Sequence, residues 1–338
     1  MRNRTSCRSV ARIAAIAVLL GSGCFAQTAQ TQRNQTSGDL EVLQVKPNFY
    51  LIASAAGNIG VQIGPDGVVV VDSGPANQAD RVLAAIKKLT DQPIRYIINT
   101  SADDDRVGGN ETLSKAGRML LPLSDTVAAD LANTMTSGGV APILAAENVL
   151  RRMSAPTGKQ APYSADAWPT EAFSGKRKYM NLNNEGIEVI HLAAAHTDGD
   201  SVVFFRRSDV VVAGNILDTT RFPVIDLVRG GSIQGELDAL NRLLELAIPS
   251  IPFVWREGGT YVIPGRGRIC EQSDVVEYRD MVTIIRDIVQ DMIKRGMTLE
   301  QVKAADPTKG YHQFGTDSGP WTKEAFVEAV YKSLTAKK

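Results

Sequence analysis

The sequence predicts an α/β fold, on three observations. Short β-branched runs such as "GVVVVDSG" alternate with segments whose apolar residues recur at helical spacing. Glycines and an Asp-Gly pair punctuate the extended runs. A charged loop, "NTSADDDRVGGN" (99–110), stands where a strand hands over to a helix, a place where α/β enzymes often keep their chemistry. With 338 residues, 43% hydrophobic and 22% charged, the chain can bury a sizeable core as one large domain or two modest ones.

At the N-terminus, Arg2, Arg4, Arg8 and Arg12 precede the apolar run Ile13 to Leu20 and then small residues. That is the order of a secretory signal peptide, residues 1–26, cut after Ala26. Export to the periplasm or the outside of the cell is expected. A second reading makes Cys24 a lipid attachment point. The run is too short to cross a bilayer, so no transmembrane segment is expected in the mature chain. Removing 1–26 takes four arginines and no acids, which leaves 33 basic against 37 acidic residues. Cys7 and Cys24 would leave with it, and Cys270 alone can form no intramolecular disulfide. The polar stretch 27–39 reads as a flexible leader, and 40–338 as the folded domain.

The domain opens on three strands, "NFYLIAS", "NIGVQIG" and "GVVVVDSG", as a meander. A helix follows, with Ala79, Val82, Leu83, Ile86 and Leu89 on one face behind Asn77 as its cap. Then come a strand from Ile94 to Asn99, the charged loop, a helix from about Asn110 and a short strand, "RMLLP". Residues 124–175 carry Pro142, Pro156, Pro162 and Pro169 and read as helical pieces in an insertion over the core. Two strands in "KRKYMNLNNEGIEVIHLA" and a hairpin across "RRSD" come next. A long helix "SIQGELDALNRLLELAI", a strand "TYVIPG" and three C-terminal helices complete the chain. No basic stripe runs through a sequence of zero formal charge, so a nucleic-acid partner is excluded.

The ordered set "VVVVDSG", "INTSADDDRVGGN", "AAAHTDGDSVVFF", "VVVAGNILD" and "YVIPGRG" resembles the metallo-β-lactamase-fold hydrolase superfamily over roughly residues 40–300. The resemblance implies a four-layer αββα sandwich with a metal cleft at one edge of the paired sheets. In that family the charged loop reads His-x-His-x-Asp-His, followed by a lone His, a bridging Asp and a final Pro-Gly-His, which bind two metal ions. Here Ser101 and Asp103 stand at the first two positions, Asp105 matches the Asp, and Arg106 replaces the third His. His196 matches, Asn215 replaces the bridging Asp, and Arg266 replaces the last His. Asp72 resembles the family Asp that steadies the loop, and reads equally as a plain Asp-Ser-Gly turn.

Ligand chemistry turns these departures into an expectation. Ser101, Asp103 and His196 fall short of the three good protein ligands usual for catalytic zinc. At the second site, Arg106 and Arg266 have no lone pair to donate. At ~5 Å and an effective dielectric of ~20, each would repel a divalent ion by about 6–7 kcal/mol, a large share of the roughly 10–16 kcal/mol that holds a structural zinc. The sequence therefore predicts a cleft without cofactor, in which Asp103 and Asp105 pair with Arg106 and Arg266 instead of metal. The function expected is that of an exported pseudoenzyme binding a small anionic molecule or a protein partner. The rival is a hydrolase with one zinc, manganese or iron ion on Asp103, Asp105 and His196, or metal-free acid/base chemistry by Asp105 and His196. His191, His312 and Cys270 are expected to be bystanders.

Overall fold

In this computed structural model the described residues are 40–119, 139–154, 160–250, 258–315 and 319–336. The signal peptide and leader, and Leu120 to Pro122 of "RMLLP", lie outside them. Strands β1 (Glu41–Lys46), β2 (Phe49–Ser54), β3 (Gly57–Gly64) and β4 (Gly67–Val71) form an antiparallel meander. Helix α1 (Ala79–Leu89) then crosses over to β5 (Ile94–Ile98), which pairs parallel to β4. Two short helices follow in the charged loop and just beyond it, α2 (Asp104–Val107) and α3 (Asn110–Ala116).

The stretch expected as helical pieces over the core behaves differently in its described part. It adds two parallel strands to the first sheet, β6 (Ile143–Ala146) and β7 (Glu171–Phe173), around helix α4 (Glu147–Ser154). Strands of four and three residues in parallel pairing leave neither a run length nor a hairpin turn to be read from sequence. The first sheet thus has seven strands in the order β1 to β7.

The second sheet holds β8 (Arg177–Leu182), β9 (Glu185–His191), β10 (Ser201–Phe205) and β11 (Val210–Asp218), with β12 (Tyr261–Arg266) parallel to β11. Helix α5 (Ile233–Leu246) links β11 to β12, and α6 (Gln272–Lys294), α7 (Leu299–Ala304) and α8 (Lys323–Thr335) end the chain. None of the described helices is long and apolar enough to cross a membrane.

Side-chain alternation in β4 shows why the layers form. Val69 and Val71 face inward with Phe49, Leu51, Val203, Phe205 and Ile263, a core drawn from both sheets. Val68 and Val70 face the other way, against Val82 and Ile86 of α1 and Leu113 of α3. On the far side of the second sheet, Val202 and Val211 pack with Leu240 of α5, Val282 of α6 and Phe326 of α8. Helix, sheet, sheet, helix is the resulting order, the αββα sandwich. Phe49 and Phe205 meet edge to face at 4.9 Å in the middle layer, both fully buried. Phe205→Ala is expected to cost about 3–5 kcal/mol, measured as a fall in the urea midpoint at unchanged slope.

Candidate functional site

The charged loop leaves the C-terminal end of β5 and is stapled at both ends by asparagine. Asn99 and Asn110, both fully buried, exchange side-chain hydrogen bonds of 3.0 and 2.8 Å, and Asn99 also donates to the Arg106 carbonyl. The loop is therefore held as a unit, and its three aspartates separate in role. Asp104 is exposed on the first turn of α2. Asp103 and Asp105 turn into a cavity of about 280 Å³ that Asp218, Arg221, Val224, Arg229 and Arg266 also line.

Arg106 occupies the centre beneath that cavity, 1% exposed. Its Nε and Nη2 donate to Asn215 Oδ1 at 3.0 and 2.7 Å, Nη2 also to the Gly265 carbonyl at 3.0 Å, and Nη1 to the Asn58 carbonyl at 3.3 Å. Asp72 and Asp105 lie 3.6 and 3.5 Å away as counter-charges. Space for this guanidinium exists because two neighbours lack side chains. A Cβ at Gly265 would sit 2.6 Å from Nη2, and one at Gly57 3.2 Å from Nη1, where the backbone φ of +152° is itself unfavourable for other residues.

Asp72 is aimed by a strained backbone, φ 65°, at the end of β4. Its two oxygens accept from Thr100 N and Oγ1, each at 2.8 Å. Burial pushes the Asp72 carboxyl up to about 6, against the pull of Arg106. Asp105 accepts from Arg266 Nη2 at 2.5 Å, while Arg266 Nη1 donates to the Ala55 carbonyl.

Asp103 departs from the expected pairing with Arg106 or Arg266. Its Oδ2 accepts from Ser101 Oγ, His196 and Asn215 Nδ2 at 2.9, 2.9 and 2.6 Å, and its Oδ1 from Arg229 at 2.7 Å. Asn215 explains the change: its carbonyl end serves Arg106 and its amino end serves Asp103, so one amide bridges the loop's two charges. Burial works against the ionised form of Asp103, but His196 and Arg229 outweigh it and hold the carboxyl far below the usual range. His196 has Nδ1 2.8 Å from the Val224 carbonyl and Nε2 on Asp103. Both neighbours are acceptors, so both ring nitrogens donate and the ring is an imidazolium. Burial opposes that charge, yet Asp103, Asp200 and the Val224 carbonyl together raise its pKa to about 9.

The donor set does not fit the two metal ions that the resemblance implies. At the first position His196 has no free ring lone pair and Ser101 is hydrogen-bonded to Asp103. At the second, the Arg106 guanidinium takes up the bridging residue and both nearby carboxylates. The alternative set divides in the same way, with Asp103 on His196 and Asp105 on the arginines. Among the described residues no group of three His, Cys, Asp or Glu side chains is arranged to hold an ion.

Sequence reading missed Arg221 and Arg229, although a signal exists. "DTTR" (218–221) and "DLVR" (226–229) repeat one Asp-x-x-Arg spacing in the loop after β11. In each, arginine Nε donates to the aspartate three residues back, at 2.7 and 2.6 Å. Also missed was Glu236 on α5, fully buried with both oxygens unpartnered among the described residues, its carboxyl pushed well up by burial and by nearby Asp200. His191 Nε2 donates to the Asp198 carbonyl at 2.8 Å, and His191 is not among the residues that line the cavity. Cys270 is buried, and burial pushes its thiol up to about 12, which disfavours the nucleophilic thiolate.

The family model of the metallo-beta-lactamase superfamily matches residues 55–251. This chain belongs to that superfamily. A linear primary-alkylsulfatase of Pseudomonas sp. (strain ATCC 19151) is 24% identical over 273 residues, 73% of this chain and 50% of the relative, so the chain spans about half of that protein's length. Among solved structures, a metallo-beta-lactamase from Pontibacter korlensis superposes with a TM-score of 0.52 at 16% identity, over 72% of this chain and 99% of that one. A stereoselective inverting sec-alkylsulfatase from Pseudomonas sp. gives 0.56 at 12% identity, over 88% and 50%. These two likenesses concern the fold.

Removing the central charge should be severe. Arg106→Leu leaves Asp72 fully buried without its counter-charge, while Asp105 keeps Arg266, and is expected to lower unfolding free energy by about 3–5 kcal/mol in urea titration. The His196–Asp103 pair gives a pH window. A raised His pKa contributes stability that is complete below the ordinary 6.5 and lost as pH rises through about 9. A depressed Asp pKa contributes stability present above 3.8 and lost as pH falls further. The stability difference between wild type and His196→Gln should therefore be greatest between about pH 4 and 6.5 and shrink towards pH 9. A flat difference across that range would contradict the imidazolium.

Proposed function

We propose that this protein is an exported member of the superfamily in which the binuclear metal site has been replaced by salt bridges, and that it works as a binding protein. The observation that carries this reading is the Arg106 guanidinium, fully buried and hydrogen-bonded to Asn215 where the fold family places a bridged metal pair. A fixed cation there does the electrostatic work of an ion for Asp72 and Asp105 but offers no open coordination position, no bound water to activate and no Lewis acid. What remains is a walled cavity with arginine at its rim, suited to an anion. The alkylsulfatase relatives are named for alkyl sulfates, and an anion with an apolar body agrees with a cavity whose lining includes Arg221, Arg229 and Arg266 together with Val224, Pro320 and Trp321.

The chain, purified without chelator and then equilibrated separately with zinc, manganese and iron, is expected to hold well under one ion per molecule by elemental analysis. Close to one ion per chain, lost in His196→Ala, would instead establish the mononuclear hydrolase on Asp103, Asp105 and His196.

A further inference from the structure

The cations that keep free donors at the cavity are a different pair from Arg106 and Arg266. Arg106 is closed off from the cavity, and its hydrogen bonds go to protein atoms on every side. Arg266 spends both terminal nitrogens on Asp105 and Ala55. The two Asp-x-x-Arg turns present something else. Asp218 takes Arg221 Nε and Asp226 takes Arg229 Nε, which fixes one edge of each guanidinium. Arg229 gives Nη1 to Asp103. The other terminal nitrogens of both residues make no hydrogen bond among the described residues, and both side chains, about a third exposed, line the cavity.

Charge balance narrows the ligand. Each cation of the cleft already has a carboxylate: Arg106 has Asp72 and Asp105, Arg266 has Asp105, His196 has Asp103, Arg229 has Asp103 and Asp226, and Arg221 has Asp218. Asp103, Asp105 and Asp218 line the same cavity. These five cations and five carboxylates balance, so an anion gains no net charge here and has to be held by directed hydrogen bonds, while each further negative charge would face Asp103, Asp105 and Asp218. A single charge can use the free edges of Arg221 and Arg229 while its apolar part lies against Val224, Pro320 and Trp321.

Resting on the binding reading above, we propose that the paired Asp-x-x-Arg turns form a clamp for an organic monoanion, with Arg221 and Arg229 as the contacting residues. Aspartates 218 and 226 are positioning residues that aim them.

Benzoate and benzenesulfonate serve as probes, with inorganic phosphate and sulfate as dianion controls, in calorimetric titration of protein whose metal content has been measured on the same sample. Saturable binding of a probe is expected, at least tenfold tighter than either dianion. Arg221→Gln and Arg229→Gln should each weaken it by about tenfold or more, the loss of one charge-assisted hydrogen bond. The exposed Arg151→Gln should leave it unchanged. Because Arg229 also holds Asp103, Arg221→Lys is the decisive variant: it keeps the charge, loses the fork, and should recover only part of the affinity. No binding of either probe to folded, metal-free protein overturns the clamp and leaves the metal-free reading standing. Undiminished binding in both Gln variants, or dianions bound as tightly, also overturns it. Stoichiometric metal in the sample overturns the reading beneath it.

Discussion

A guanidinium buried to 1% exposure must be neutralised and hydrogen-bonded from all sides, and this one constraint organises the mouth of the sandwich. Arg106 draws on Asn58 from β3, Asp72 at the end of β4, Asp105 from its own loop, Asn215 from β11 and Gly265 from β12. Those segments belong to both sheets. The charge therefore ties the two sheets together at the edge where the hydrophobic middle layer gives out.

The layers themselves do not depend on this edge. Three apolar cores, between the sheets and under each helical layer, are built from alternating β-branched residues and helix stripes that contain none of the cleft's charged groups. That separation is why the fold can be kept while five of the seven positions that the resemblance assigns to metal ligands hold another residue type. It also explains why likeness to an alkylsulfatase or a lactamase at low identity speaks for the sandwich and leaves the cleft to be read on its own chemistry.

Much of the architecture was legible because each signal was local. "GVVVVDSG" announced a strand, and the stripe Val82, Ile86 announced α1. That Arg106, Asn215 and Arg266 come together at one edge of the sandwich was legible from the order of the motifs. Partner choice was not. Asp103 finds Arg229 at a separation of 126 residues and His196 at 93, and nothing in a linear pattern ranks Arg229 above Arg266. The amide of Asn215 decides it, by offering its carbonyl to Arg106 and its amino group to Asp103. Strands β6 and β7 escaped for a similar reason: they are short, parallel, and defined only by the neighbours they pair with.

The missing side chains at Gly57 and Gly265 limit what position 106 can hold. They leave a slot shaped for a forked, flat group. A histidine placed at position 106 would abandon the carbonyls of Asn58 and Gly265 and the Asn215 oxygen, while Arg266 would still repel an arriving ion. A change at position 106 alone would thus leave buried acceptors of both sheets bare. The two glycines and the arginine are matched parts, and a substitution at any one of them is felt by strands far apart in the chain.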